Sequence, residues 1–70
     1  MTPGIRILIN GESREVPAGI GVPGLLSHLG LPADRVAIER NLEILPRSQW
    51  AETAVQTGDQ YEIVQLVGGG

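Results

Sequence analysis

The sequence contains no cysteine, no lysine and no phenylalanine, a single histidine and only two large aromatic side chains, Trp50 and Tyr61. Each shortage closes off a class of function. Without cysteine there is no disulfide, no thiolate nucleophile and no cysteine-based metal site. One histidine, His28, cannot by itself build a multi-histidine metal centre. No unbroken apolar run exceeds three residues, the length of Ile7-Leu8-Ile9. A membrane-spanning helix needs about 20. The opening Met1-Thr2-Pro3-Gly4-Ile5-Arg6 has neither the charged segment nor the apolar stretch of a secretory leader. The expected location is therefore the cytoplasm. Charge is short on the positive side. All 5 basic residues are arginines, scattered along the chain, and 8 acids bring the net charge to −3. Nucleic-acid binders show a basic stripe with aromatic stacking platforms. This sequence has neither, so nucleic acid is not expected as a partner.

What remains is one small domain. A chain of this size buries roughly 60% of its unfolded surface, and 41% apolar residues supply one modest core. Ile5, Ile7 and Ile9 alternate with Arg6 and Leu8, the period of a half-buried strand. That strand runs into Asn10-Gly11, the pair best suited to a two-residue hairpin turn because both positions need positive φ. Glu12 to Val16 returns antiparallel, and Pro17 ends it. Val22, Leu25, Leu26 and Leu29 then mark one stripe of a short amphipathic helix. Pro23 fits its first turn, Gly30 its left-handed exit, and Pro32 blocks continuation. Val36 to Arg40 reads as a third strand, Asn41-Leu42 as a turn, and Glu43-Ile44-Leu45 as a short strand closed by Pro46. Ser48 is placed to cap a helical turn through Trp50 to Thr53. Thr57-Gly58-Asp59-Gln60 is a turn before Tyr61 to Val67, the strongest strand signal in the chain.

Strand, strand, helix, strand, short strand, strand is the order of an α+β domain with two layers. The first and last strands are the most apolar and should pair at the sheet centre. With one helix crossing one face, this is a β-grasp, expected to span residues 1–67 and to be followed by a flexible glycine tail at 68–70. Val64 and Leu66 should point away from Ile63 and Val67. Two arrangements are open for them. They form an exposed apolar patch of the kind partners bind, or they close a second small core beneath the loop that carries Trp50.

Candidate catalytic groups are few. Gly19-Ile20-Gly21-Val22-Pro23-Gly24 matches the spacing of a dinucleotide-binding glycine loop. That loop belongs to a parallel strand-helix-strand unit in a larger sheet, whereas here it follows the second arm of a hairpin. His28 lies beside Ser27, with Asp34 near in sequence, but a serine triad needs a buried, oriented base. Glu39 and Glu43 sit on strands expected to pair and read as a solvated face. A domain this small rarely builds a catalytic cleft. The chain reads as a non-enzyme with no resident metal or cofactor.

The last three residues are the informative ones. Gly68-Gly69-Gly70 follows the strongest strand and reaches about 10 Å when extended. Three residues without Cβ atoms pass through a channel that excludes every other side chain, and they carry a carboxylate at their end. The blander meaning is a frayed end or a piece of linker, but linkers usually mix in serine. An α-carboxylate is ionised at neutral pH, with a pKa of about 3.5, and is a poor electrophile. Adenylation makes it reactive toward sulfur, giving a thiocarboxylate, or toward an amine, giving an amide. This chain has no phosphate-binding machinery, so a separate ATP-using enzyme must perform that step. With no cysteine in the chain, a sulfur cargo has to ride on Gly70.

The residues as a set resemble the ThiS-type sulfur carriers of thiamine biosynthesis, which belong to the ubiquitin-like β-grasp superfamily. The likeness runs through Asn10-Gly11-Glu12, Leu25-Leu26, Leu29-Gly30-Leu31, Val36-Ala37-Ile38-Glu39, and Glu43-Ile44-Leu45-Pro46-Arg47-Ser48. It continues through Trp50-Ala51, Gly58-Asp59, Glu62-Ile63-Val64 and Val67-Gly68-Gly69-Gly70. A di-glycine end is common to many ubiquitin-like proteins, and Pro46-Arg47-Ser48 is the more specific part. The resemblance implies adenylation of Gly70 by an E1-like adenylyltransferase, conversion to a thiocarboxylate by a sulfur donor system, and delivery of sulfur to thiazole synthase. Gly68 and Gly69 would thread the enzyme channels, and Val64 and Leu66 form the candidate partner surface. ATP would be used by the activating enzyme rather than bound here. Where family members often carry threonine ahead of the helix, this chain has Gly21, which weakens the cap. Alternatives are a carrier like the small subunit of molybdopterin synthase, a ubiquitin-like protein modifier, or a passive binding module.

Overall fold

A computed structural model describes residues 3–66. The expectations for Val67 as a strand residue and for Gly68, Gly69 and Gly70 concern positions outside the described residues. Five strands form one sheet: β1 (Gly4–Ile9), β2 (Glu12–Pro17), β3 (Val36–Arg40), β4 (Glu43–Ile44) and β5 (Gln60–Gln65), in the order β2-β1-β5-β3-β4. One helix, α1 (Val22–Leu29), crosses a single face, and 3-10 turns occupy Ala33–Arg35 and Arg47–Glu52. This is the β-grasp expected from the strand order, with the first and last strands parallel at the centre.

Local chemistry explains the elements. Asn10 and Gly11 both have positive φ (51° and 83°), so β1 and β2 close as a tight hairpin paired from Ile9↔Glu12 to Gly4↔Pro17. Helix α1 has no side-chain cap at Gly21; its exit is better made. Gly30 adopts φ 73°, and Leu31 donates its N–H to the Leu26 carbonyl at 2.9 Å, closing the last turn in the Schellman manner. The helix start is held from outside instead. Val22 N–H donates to the Thr53 carbonyl at 3.0 Å, and Val55 N–H to the Ile20 carbonyl at 3.0 Å.

Val22, Leu25 and Leu26 of α1 pack on Ile7, Ile9, Val16, Val36, Ile38, Tyr61 and Ile63 of the sheet, with Trp50 and Val55 closing the side. Complete burial of such side chains contributes about 1.5–3 kcal/mol each. That packing is what holds a short helix containing Gly24, a residue about 1 kcal/mol worse than alanine in a helix interior.

Several boundaries differ from the sequence reading: Pro17 lies within edge strand β2, paired with Gly4, and β5 begins at Gln60. Ser48 does not cap a helical turn. The 3-10 segment begins two residues earlier than that cap would place it, with Pro46 (φ −62°) in the cap position and no side-chain cap. Strand β4 ends at Ile44, although Leu45 N–H continues the ladder by donating to the Ile38 carbonyl at 2.9 Å. Strand β5 ends at Gln65, and Leu66 lies just past it with its N–H donating to the Arg35 carbonyl at 2.7 Å.

The parallel seam between β1 and β5 is short, with only Leu8↔Gln60 and Ile9↔Tyr61 in register. A side chain lengthens it. Asn10 turns away into the hairpin, but its amide takes the place of the next strand residue. Its Oδ1 accepts the Ile63 N–H at 2.8 Å, and its Nδ2 donates to the Ile63 carbonyl at 3.1 Å. Removing that amide strips both backbone groups of Ile63 of their partners. Asn10→Ala is therefore expected to lower stability by about 2–3 kcal/mol, at roughly 1 kcal/mol per net hydrogen bond and more for groups left unpaired. Urea titration measures it. Asn10→Gly, which accepts the same φ freely, should lose nearly as much; full stability in that variant would show the amide pairing to be idle.

Candidate partner-binding site

The uncovered face of the sheet follows from the pleat. β3 and β5 pair antiparallel with Val36↔Gln65, Ala37↔Val64, Ile38↔Ile63 and Glu39↔Glu62. Val36, Ile38, Tyr61 and Ile63 point into the core. Their neighbours Ala37, Glu39, Glu62 and Val64 therefore point the other way, where no helix lies. Of the two arrangements open for Val64 and Leu66, the structure adopts the exposed one, each residue being 55% accessible. Trp50 does not cover them. It is buried in the main core, with its Nε1 donating to the Leu45 carbonyl at 3.0 Å.

Val64 and Leu66 are joined by two residues the sequence reading did not single out. Leu42 and Ile44, on the turn and strand that follow β3, are 83% and 79% exposed. These four line an open apolar groove of about 630 Å³, to which Trp50 and Arg47 also contribute. Leu42 is unusual in a second way. Its φ is 72°, a left-handed conformation that costs a branched, non-glycine residue roughly 1–2 kcal/mol. A large apolar side chain thus stands in solvent on a strained backbone, in a turn whose other left-handed residue, Asn41 (φ 52°), is of a type that tolerates it. Strain of this kind gathers at ligand and partner sites.

The groove has an acidic edge. Glu39 and Glu62 lie directly opposite each other across β3 and β5, an arrangement that opposes pairing. Neither is in an ion pair among the described residues. A partner that brings a cation here relieves the repulsion as it docks.

The start of β5 is held by a buried polar knot that the sequence reading took for a plain turn. Asp59 is 5% exposed, and its carboxylate is surrounded by donors. Oδ2 accepts from Arg40 Nε at 3.0 Å, Tyr61 Oη at 3.0 Å and the Gln56 N–H at 2.9 Å. Oδ1 accepts from Asn41 Nδ2 at 3.2 Å and Arg40 Nη2 at 3.4 Å. Asn41 also accepts the Gln60 N–H on its Oδ1 at 2.9 Å. Burial alone would raise the Asp59 pKa, but the hydrogen bonds from Gln56, Asn41, Tyr61 and Arg40 outweigh it and hold the carboxyl below its usual range. Burial together with the bond to Asp59 pushes the Tyr61 phenol up to about 12. No local sequence pattern marks this knot, because Arg40 and Asn41 reach Asp59 from another hairpin.

The remaining candidates do not converge. His28, Ser27 and Asp34 are all exposed, with no hydrogen bond joining them. Glu43 pairs with Arg40 and Glu39 with Ile44, so the two carboxylates sit on opposite faces of the sheet and form no acid–base pair. The glycine-rich segment connects an edge strand, antiparallel to its neighbour, to α1, which is not the geometry of a dinucleotide loop. No helix among the described residues is long and apolar enough to cross a membrane.

A β-grasp with one covered face and one apolar groove is the architecture of ubiquitin-like proteins. A computationally designed protein based on human erythrocytic ubiquitin shares the fold, with a TM-score of 0.56 at 19% identity over 100% of this chain and 98% of that one. Sequence narrows the class. Residues 7–70 match the ThiS family. The sulfur carrier protein ThiS of Escherichia coli is 38% identical over 66 residues, covering 94% of this chain and 100% of that protein. The crystal structure of the thiamine biosynthesis protein ThiS from Geobacter metallireducens superposes with a TM-score of 0.80 at 33% identity, covering 94% of this chain and 100% of that one. Thiazole synthase of Paramagnetospirillum magneticum is 48% identical over 66 residues, 94% of this chain but 20% of that protein. The chain belongs to the ThiS family.

The polar knot generates a pH prediction at both ends of the scale. Asp59 has a depressed folded pKa, so its contribution is complete above the unfolded value near 4 and is lost as pH falls through the folded value. Tyr61 has a raised folded pKa, so its contribution is complete below the unfolded value of about 10. It disappears as pH rises toward 12. Denaturation midpoints measured across pH should fall at both ends. Asp59→Asn should flatten the acid limb; an unchanged acid limb would remove Asp59 from the account.

Proposed function

We propose that this chain carries sulfur for thiamine biosynthesis on the carboxylate of Gly70. The observation that carries the reading is its alignment along the full length of the Escherichia coli sulfur carrier. The sequence Val67-Gly68-Gly69-Gly70 also comes directly after the groove residue Leu66. The chain is a co-substrate rather than a catalyst. In an E1-like adenylyltransferase the Gly70 carboxylate attacks the α-phosphorus of ATP and pyrophosphate leaves. A sulfur nucleophile from a donor system then adds to the acyl carbon and AMP leaves, giving a thiocarboxylate. Thiazole synthase takes the sulfur. ATP stays with the activating enzyme, and the carrier holds no cofactor of its own. Partnership with thiazole synthase is supported by the Paramagnetospirillum protein, in which a segment like this chain is part of a longer thiazole synthase.

In this reading Gly68 and Gly69 pass through the partner's channel because they have no Cβ, while the groove of Val64, Leu66, Leu42 and Ile44 docks the domain. Buried apolar anchors at the centre of an interface dominate its affinity. The acidic edge at Glu39 and Glu62 selects a partner surface that is apolar with a basic border.

Two experiments follow. A variant carrying one extra residue after Gly70 should fold as the parent does and take up no sulfur when incubated with ATP, activating enzyme and a sulfur donor. Sulfur loading of the extended chain would refute the role of the Gly70 carboxylate. Leu42→Gly should move stability and docking in opposite directions. Melting should occur at higher temperature, by up to about 1 kcal/mol of stability from relief of the left-handed strain. The KM for the activating enzyme or the thiazole synthase should rise several-fold. Unchanged KM values with both partners would show that Leu42 faces neither of them.

A further inference from the structure

Arg47 has no part in the sulfur chemistry as described, yet it is tied to three other groups of the fold. Its side chain does three things at once. The guanidinium lies over the Trp50 ring, with its carbon 4.5 Å from the ring centroid. Its Nη1 donates to the Ala33 carbonyl, and its Nη2 donates to the Val36 carbonyl at 3.2 Å. A planar fork with a stacked face is specific to arginine; lysine can neither stack in that way nor reach two diverging acceptors with fixed geometry.

The two carbonyls flank Arg35, and Arg35 is the residue that holds the end of β5. Its own carbonyl accepts the Leu66 N–H at 2.7 Å, one residue beyond the last β3–β5 pair, Val36↔Gln65. Arg47 therefore grips the segment on both sides of the anchor for Leu66. It ties that segment to Trp50, which is buried in the core. The Ala33–Arg35 turn has no side-chain cap of its own. Little else among the described contacts fixes it against the 3-10 segment that follows β4.

We propose that Arg47 is a positioning residue for acyl activation: by bracing residues 33–36 it fixes the point from which the chain leaves the sheet at Leu66 and so sets the distance over which the Gly70 carboxylate can be delivered. This rests on the sulfur-carrier reading. The reach beyond Leu66 is four residues, about 13–14 Å when extended. Where Leu66 is held therefore limits how far into an active site the carboxylate can be delivered. A displacement of about 1 Å at a reacting centre costs on the order of 100-fold in rate.

The test uses the full chain with Arg47→Ala, Arg47→Lys and, as a control for the lost charge, Arg14→Ala on the far edge strand. Without any enzyme, amide hydrogen exchange at Leu66 should become at least about tenfold faster in Arg47→Ala, while Ile38 and Ile63 keep their protection, because local opening is independent of the global transition. With the activating enzyme and ATP, pyrophosphate release should show kcat reduced roughly 10–100-fold and KM changed less than about threefold. Arg47→Lys should recover little of this, and Arg14→Ala should behave as the parent. A raised KM with normal kcat would make Arg47 a docking contact and overturn the proposal, as would unchanged Leu66 exchange. Full activity in Arg47→Lys would mean that charge alone is needed, which also overturns it. If Arg47→Ala loses protection throughout, Arg47→Lys decides by the same two readouts. Failure of the parent chain itself to release pyrophosphate would instead count against the sulfur-carrier reading, so the two failures are distinguishable.

Discussion

The structure depends on the seam where β5 is inserted between β1 and β3. A parallel pairing of two residues is too little to hold a central strand, and the protein reinforces it with side chains acting as backbone. Asn10 pairs with both groups of Ile63, and Asn41 accepts the Gln60 N–H. Asp59 gathers Arg40, Tyr61, Asn41 and the Gln56 N–H at the strand's start. These polar groups are affordable in a small core because every one is satisfied; no buried side-chain polar atom among the described residues lacks a partner. A half-satisfied set would cost more than an apolar replacement.

That seam links fold to function. Strand β5 carries core residues on one face, Tyr61 and Ile63, and groove residues on the other, Glu62 and Val64. It then hands the chain on at Leu66. Rigidity at its beginning, from the Asp59 knot, and at its end, from the Arg35 carbonyl, leaves the chain beyond Leu66 starting from a defined place beside the apolar groove. The proposed sulfur cycle draws on both parts: the groove as the surface a partner seats, and Leu66 as the fixed start of the terminus it receives.

Much of this was legible in the residues. The 2-residue period of Ile5, Ile7 and Ile9, the Asn10-Gly11 turn, the helix stripe with its Gly30 exit, and the doubly apolar last strand led to the correct strand order, because each is a local signal that the tertiary fold agrees with. The uncovered face was half legible. Periodicity placed Val64 and Leu66 together but could not say whether a loop covered them, since that depends on where Trp50 packs. Leu42 and Ile44 escaped notice because a turn leucine and a two-residue strand carry no pattern. The Asp59 knot escaped for a different reason. Its partners, Arg40 and Asn41, lie on another hairpin, and only the sheet register brings them near. Ser48 misled because serine before a short helical run usually means a cap, whereas here Pro46 and the Arg47 brace set the turn.

The central claim is that Gly70 carries sulfur after activation by another enzyme, and the intact mass of the chain reads it most directly. After incubation with ATP, the E1-like enzyme and a sulfur donor, the account requires one carboxylate oxygen to be replaced by sulfur, with fragmentation placing the change at Gly70. An unchanged mass under conditions that load a known carrier, or sulfur found anywhere else in the chain, would contradict it.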